Sequence, residues 1–359
     1  MPDRINSFDE TRTSGLSHSR HNCPRFLHRV HFLTCGTSEK ALVSYNQSIA
    51  PLRPLPGIVI VNLCADLQWR GYEMKLDAVL QYAESDAVHP RDLLIFTDAD
   101  ALVNNVVAAS ADGLIYRFEQ ACAAWPRARV IFQAEAFCWA PWSKKWPAGR
   151  VCSPEVVKLY SAYDYHNHAF ARCPRYLNSG MYAGLAGEML PIIAQWRAGA
   201  AVLSGKSPGA AWPGAPPTCY RGDQCVVTNL LLRSNGTIAL DTREHLFASA
   251  ATPAVPGDAE WGAANRGGGA IRCGDTRCRA TARVEVGWQL DGNRNGNSLS
   301  RFPEYRQACK LSESPPVLIH FQGVAKSQLD SQFVQRWLRF RANAFSAELR
   351  VSATRCQRS

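Results

Sequence analysis

Between the Pro56-Gly57 pair and a polar stretch lies Ile58-Val59-Ile60-Val61-Asn62-Leu63, and this run limits what the chain can become. β-branched side chains crowd a helix and pack well on a pleated surface, so a near-continuous apolar run predicts a strand buried on both faces. Shorter runs of the same kind stand at Val30-His31-Phe32-Leu33-Thr34, Leu93-Leu94-Ile95-Phe96, Val130-Ile131-Phe132 and Val317-Leu318-Ile319. Helical spacing fills residues 38–49 and about 74–83 between the first of them. Strand, helix, strand, helix is the rhythm of an α/β fold with an open, mostly parallel sheet. Ligands bind such sheets beyond the carboxyl ends of the strands, so the residues after each run carry the functional question.

With 359 residues, 46% of them hydrophobic, the chain can bury a large core as one principal domain. The net charge of +10 suits an anionic partner such as a phosphate ester, but the basic residues are scattered without a run of five. That pattern describes a solvated basic surface and excludes a nucleic-acid groove as the leading reading. Thirteen cysteines are many for a reducing compartment, and an odd number leaves at least one without an intramolecular partner. Cys273 and Cys278, in C-x4-C spacing without nearby histidines, read as a local disulfide or two thiols and not as a zinc site. Residues 1–29 are polar and basic, which predicts a loosely ordered segment and neither a signal peptide nor an anchor. Residues 30–340 form the expected principal domain, with an irregular insertion at about 250–297 and a basic tail at 341–359. Gly, Ala and Pro predict a mobile loop over about 199–217, and residues 328–351 have the spacing of a helix that covers the core. No apolar run approaches the roughly 20 residues of a membrane helix.

Asp98 and Asp100 directly follow Leu93-Leu94-Ile95-Phe96-Thr97, so a parallel strand delivers both carboxylates to the ligand edge. Two such charges about 5 Å apart repel by roughly 3 kcal/mol at an effective dielectric near 20, and a divalent cation between them reverses the sign. Hard oxygen ligands suit Mn2+ or Mg2+. The competing reading has one Asp capping a helix while the other is solvated. His320, directly after Pro316-Val317-Leu318-Ile319, sits at another strand end and can complete the shell, although a lone histidine is more often a satisfied core residue. Lys326 follows six residues later and would reach a phosphate if the segment loops over it. Asn46-Gln47-Ser48 and Asn235-Gly236-Thr237 match the glycosylation acceptor pattern, a frequent chance occurrence.

The runs IFQAEAFCWAPW, RYLNSGMYAG, RGDQCVVTNLLL, LDTREHLF and VLIHFQGVAK resemble, in order, the glycosyltransferase domain of the procollagen lysyl hydroxylases, over residues 30–337. With 359 residues the chain is too short for that family's additional hydroxylase domain, so the expectation is a stand-alone transferase. The resemblance implies a GT-A type nucleotide-diphospho-sugar fold, a UDP-glucose or UDP-galactose donor, and Mn2+ held by an acidic motif and a late histidine. The hydroxyl acceptor would be hydroxylysine of a collagen-like protein, in the lumen of the secretory pathway; the polar start of the chain leaves a cytoplasmic alternative. Asp98 and His320 match the family's metal positions, whereas Asp100 replaces the second acid of D-x-x-D by a one-residue shift, with Ala101 at the more distant place. Gly222-Asp223-Gln224 keeps only the second of the family's two acids. Trp69, Gly71 and Lys75 look like a compressed nucleotide segment, in which Trp69 stacks on uracil and Lys75 meets the diphosphate, joined by Gly323 and Lys326. Packing alone accounts for Trp69 equally well. Glu135, Asn178, Ser179, Gly180 and Asp223 would line the sugar and acceptor side. There Glu135 orients the acceptor, Asn178 and Asp223 meet hydroxyls, and Asp223 supports charge growing on the sugar. Read alone, Asn178-Ser179-Gly180 is ordinary turn chemistry. Trp139, Trp142 and Trp146 would wall the acceptor cleft or pack in the core. The shifted acid and Gly222 favour an alternative, a non-catalytic UDP-sugar-binding or scaffold module.

Overall fold

A computed structural model describes residues 29–104, 110–135, 173–204, 223–250, 288–290, 299–301, 306–307, 309–321 and 338. The chain opens β1 (Val30–Thr34), α1 (Glu39–Ile49), β2 (Ile58–Asn62), α2 (Tyr72–Ala83) and β3 (Leu93–Thr97). Then come β4 (Ala101–Val103), α3 (Ala111–Ala123), β5 (Val130–Glu135), β6 (Tyr176–Leu185) and α4 (Ala186–Ser204). The described remainder holds α5 (Asp223–Arg233), β7 (Ile238–Asp241), β8 (Phe247–Ser249), β9 (Trp288–Leu290), β10 (Leu299–Arg301) and β11 (Leu318–His320).

A six-stranded sheet in the order β2-β1-β3-β6-β5-β7 carries the molecule. It is mixed and largely parallel: β6 alone runs against its neighbours β3 and β5. Side-chain alternation divides the core between the two faces. Leu33, Leu94, Phe96, Phe132 and Tyr182 pack with Leu76 and Val79 of α2, Trp196 of α4 and Val226 of α5. Phe32, Ile95, Ile131 and Met181 pack on the other face with Tyr45 of α1, Leu114 and Phe118 of α3, and Phe247 and Leu318 of a second sheet. That second sheet has three strands in the order β4-β11-β8.

Four local expectations change. β2 is an edge strand, buried at Ile58 and only half-buried beyond it, because composition reports apolarity and not which strand lies outermost. β11 joins the small sheet, antiparallel to β4 and parallel to β8, instead of extending the central one. Residues 199–204 are the end of α4, where alanine's helix propensity and the burial of Trp196 and Ala200 outweigh Gly199. Residues 176–185, read as turn chemistry in part, form the long buried strand β6. The tryptophans at 139, 142 and 146, the Cys273/Cys278 pair, Gly222, Gly323 and Lys326 lie outside the described residues, as does the tail apart from buried Leu338. β9 and β10 pair as a two-stranded ladder, and β9 lies within the stretch expected to be irregular.

Disulfides join Cys35 to Cys64, across the ends of β1 and β2, and Cys173 to Cys309. Cys122 is a free thiol, consistent with the odd cysteine count. At the amino end of the sheet, buried Asp92 accepts the Arg29 and His89 N–H groups and contacts His31 Nε2 at 3.0 Å. A carboxylate only accepts, so His31 Nε2 donates; burial holds the ring's pKa below its ordinary value, and Nδ1 then accepts the Tyr82 hydroxyl at 2.9 Å. This network fastens the start of β1 to β3 and α2. Asp92→Ala is expected to lower stability by about 3 kcal/mol, read from urea unfolding, because it strands the donors that the carboxylate satisfies.

Candidate metal centre

β3 ends at Thr97, and the chain turns through Asp98 and Asp100 into β4, with the Ala101 N–H donating to the Asp98 carbonyl. β4 then pairs antiparallel with β11 so that Ala101 faces His320 and the Phe321 N–H donates to the Asp100 carbonyl. This brings together side chains separated by 220 residues: His320 Nε2 lies 3.0 Å from Asp100 Oδ1 and 3.9 Å from Asp98 Oδ2. One ligand atom from each of Asp98, Asp100 and His320 falls within 4.8 Å of the others. Around a small octahedral ion at about 2.1 Å, adjacent ligands stand about 3 Å apart and opposite ones about 4.2 Å, so little movement would be needed. Two carboxylates and an imidazole make a donor set for a divalent cation.

Gly180 leaves the room that this cluster occupies. Between Phe132/Tyr182 and Gln133/Asn178 the register of β5 and β6 jumps, leaving Ser179, Gly180 and Met181 without partners in β5 while Met181 pairs with Thr97 of β3. The Gly180 carbonyl accepts the Asp98 N–H at 2.7 Å, while the Gly180 N–H is satisfied by Asn178 Oδ1 at 2.8 Å. A Cβ on Gly180 would run into His320 Cε1 and lie 2.8 Å from Asp98 Oδ2. Asn178, expected to meet sugar hydroxyls, thus spends its carbonyl oxygen on the bulge, and Gly180 gives space to the imidazole.

Lys75 is buried in α2, and its ammonium sits 2.8 Å from Asp223 Oδ2 and 3.5 Å from Asp98 Oδ1. Burial alone would lower the Lys75 pKa, but Asp223 and Asp98 outweigh it and hold it raised. Lys75, expected to meet a diphosphate, therefore already bridges two acids of the site. Asp223, the first residue of α5, takes the Gln224 N–H on Oδ1. Gln224 Nε2 reaches Glu135 Oε1 at 3.1 Å and the Leu177 carbonyl, fixing Glu135 at the end of β5. Burial pulls His320 down while Asp100 and Asp98 lift it, and the lift prevails. Asp98 and Asp223 contact the Lys75 ammonium, while Asp100, Asp98 and Glu135 act on His320; among the described residues these four acids outnumber the two basic groups, a surplus of negative charge that a divalent cation would offset.

At the open side, Trp69 and Tyr72 are 46% and 54% exposed, their rings edge to face with centroids 5.8 Å apart. Gly71 between them has φ +124°, a conformation that other residues rarely adopt, and it starts α2 so that Lys75 turns inward one helical turn later. The exposure of Trp69 departs from a packing role. Gln133, Gln224 and Tyr182 had no sequence-based role. A glutamine directly after the apolar Val130-Ile131-Phe132 is the signal that could have pointed to the first. No protein-family model matches the chain, and no curated protein matches it either.

Gly180→Ala is expected to weaken Mn2+ binding by about tenfold or more, measured by isothermal titration calorimetry, as the added methyl costs about 1–3 kcal/mol of crowding at the ligands.

Proposed function

We propose that this protein transfers a hexose, glucose or galactose, from a UDP-sugar to a hydroxyl acceptor, with Mn2+ or Mg2+ held by Asp98, Asp100 and His320 in a GT-A type fold. The observation that carries the reading is the meeting of those three side chains beside the carboxyl end of β3, where open sheets bind ligands. The ordered motif resemblance to the procollagen lysyl hydroxylase transferase domain supplies the substrate class. When bound, the cation would neutralise charge on the departing diphosphate.

The chain's own residues divide the remaining work. Exposed Trp69 offers a flat apolar face for a uracil ring, with Tyr72 supporting it. Lys75 keeps Asp98 and Asp223 at fixed separation despite their like charge. Asp223, buried and held by both Lys75 and the Gln224 N–H, can stabilise positive charge growing on the sugar. Glu135, steadied by Gln224, is placed to orient an acceptor hydroxyl, as a hydroxylysine side chain would present. The Cys35–Cys64 and Cys173–Cys309 bridges suit an oxidising compartment such as the secretory lumen.

One observation favours the second reading, a UDP-sugar-binding scaffold without turnover: the Lys75 ammonium partly neutralises Asp98 and so lessens the demand for a cation. Titration calorimetry separates the two. UDP affinity is expected to rise at least about tenfold, 1.4 kcal/mol, when Mn2+ is added. Equal affinity with and without Mn2+ would sink the metal-centred enzyme. Asp98→Ala is expected to remove that rise and to bring hydrolysis of UDP-glucose and UDP-galactose to background, with an unchanged thermal midpoint; full activity in the variant would contradict the assignment.

A further inference from the structure

Gln133 lies in β5 with no exposed surface, in a strand whose neighbours Ile131, Phe132 and Ala134 are all apolar. Its Oε1 is 2.9 Å from His320 Nδ1, and its Nε2 finds no hydrogen-bond partner among the described residues. Burying an amide with half its capacity unspent costs free energy, which points to the one bond it makes with His320. That bond has a direction. With Oε1 toward the ring, Nδ1 must carry a proton; Nε2 faces Asp100 and Asp98 and, 3.0 Å from a carboxylate oxygen that only accepts, holds a second proton that an arriving cation would displace. With the amide turned over, an N–H would point at Nδ1, the ring would keep its one proton on Nε2, and no lone pair would be free on the acidic side. The β5–β6 register shifts at Phe132/Gln133, and the missing side chain of Gly180 in β6 leaves the space that the ring fills.

From this we infer that Gln133 is the positioning residue for His320, fixing the ring as the Nδ1–H tautomer so that Nε2 can ligate a divalent cation. The assignment rests on the metal reading of Asp98, Asp100 and His320. Histidine ligands commonly donate their second N–H to such a partner, and removing it typically weakens metal binding about 10- to 100-fold.

Mn2+ titration calorimetry on the full chain, with thermal midpoints measured alongside, tests it on the wild type, Gln133→Met and Gln133→Glu. Gln133→Met keeps the length of the side chain and removes the acceptor, so a weakening of about 10- to 100-fold is expected. Gln133→Glu can only accept from Nδ1–H, and it is expected to bind within about threefold of wild type or more tightly. A role in packing alone gives the reverse order, because Met fills the site and a buried carboxylate disturbs it. Wild-type affinity in Gln133→Met, or equal weakening in both variants, overturns the positioning role and leaves the metal site standing. If Gln133→Met loses its fold, the role stands or falls on Gln133→Glu, where a weakening beyond about tenfold overturns it. A wild-type protein that takes up no Mn2+ overturns the metal reading and this assignment with it.

Discussion

Everything at the carboxyl edge of the sheet depends on one strand register, the pairing of Ala101 in β4 with His320 in β11. The acids at 98 and 100 stand directly before β4, so whatever pairs with its first residue is placed beside them. A slip of one residue would turn His320 to the opposite face and present Ile319 to the carboxylates. The register is held from both sides. Leu318 and Phe247 bury in the lower core, the Asn104 N–H donates to the Val317 carbonyl, and Asn104 Nδ2 donates to the Pro316 carbonyl. A strand of three residues is thereby fixed by apolar packing and by a buried amide at the point where it enters the sheet.

The second constraint is electrostatic. Carboxylates at 98, 100, 135 and 223 approach one another only because the fold supplies partners for each. Lys75 contacts two of them, Gln224 contacts Glu135 and Asp223, and His320 contacts Asp100. These partners come from α2, α5 and β11, so the cluster also ties the helices of one face to the small sheet on the other. Aromatic packing supports it from beneath. Trp196 donates its indole N–H to the Asp223 carbonyl and packs edge to face with Tyr182, which stacks on Phe96 just before Asp98.

Reversal of β6 explains how backbone enters the site. Running against β3 and β5, it brings residues 178–180 to the same edge as Asp98, where a parallel strand would bring its other end. Its bulge then lets a carbonyl hold Asp98 while the missing side chain of Gly180 admits the imidazole. Asn-Ser-Gly is turn chemistry in isolation, and in the fold it acts within a strand for the same reason, since the asparagine oxygen satisfies a backbone N–H two residues on.

Much of the α/β layout is legible in the chain, because β-branched and apolar runs bounded by breakers leave few alternatives for β1, β2, β3 and β5, and the acids after β3 announce a ligand edge without any coordinates. What the residues could not convey is partnership. Ile58 to Asn62 is apolar enough for a central strand and lies at the edge, and Leu318 to His320 has the composition of the central sheet and joins another. Nor could spacing reveal that Lys75 would meet Asp223 or that Gln133 would meet His320, for these contacts join residues 148 and 187 positions apart. The sequence by itself determined the strands β1, β2, β3 and β5, the helices near residues 38–49 and 74–83, and which residue types carry charge, since those follow from local sterics and side-chain chemistry. Only the tertiary structure decided which carboxylate faces which base, because that depends on strand order, register and the absence of a side chain at Gly180, all set by packing between segments distant along the chain.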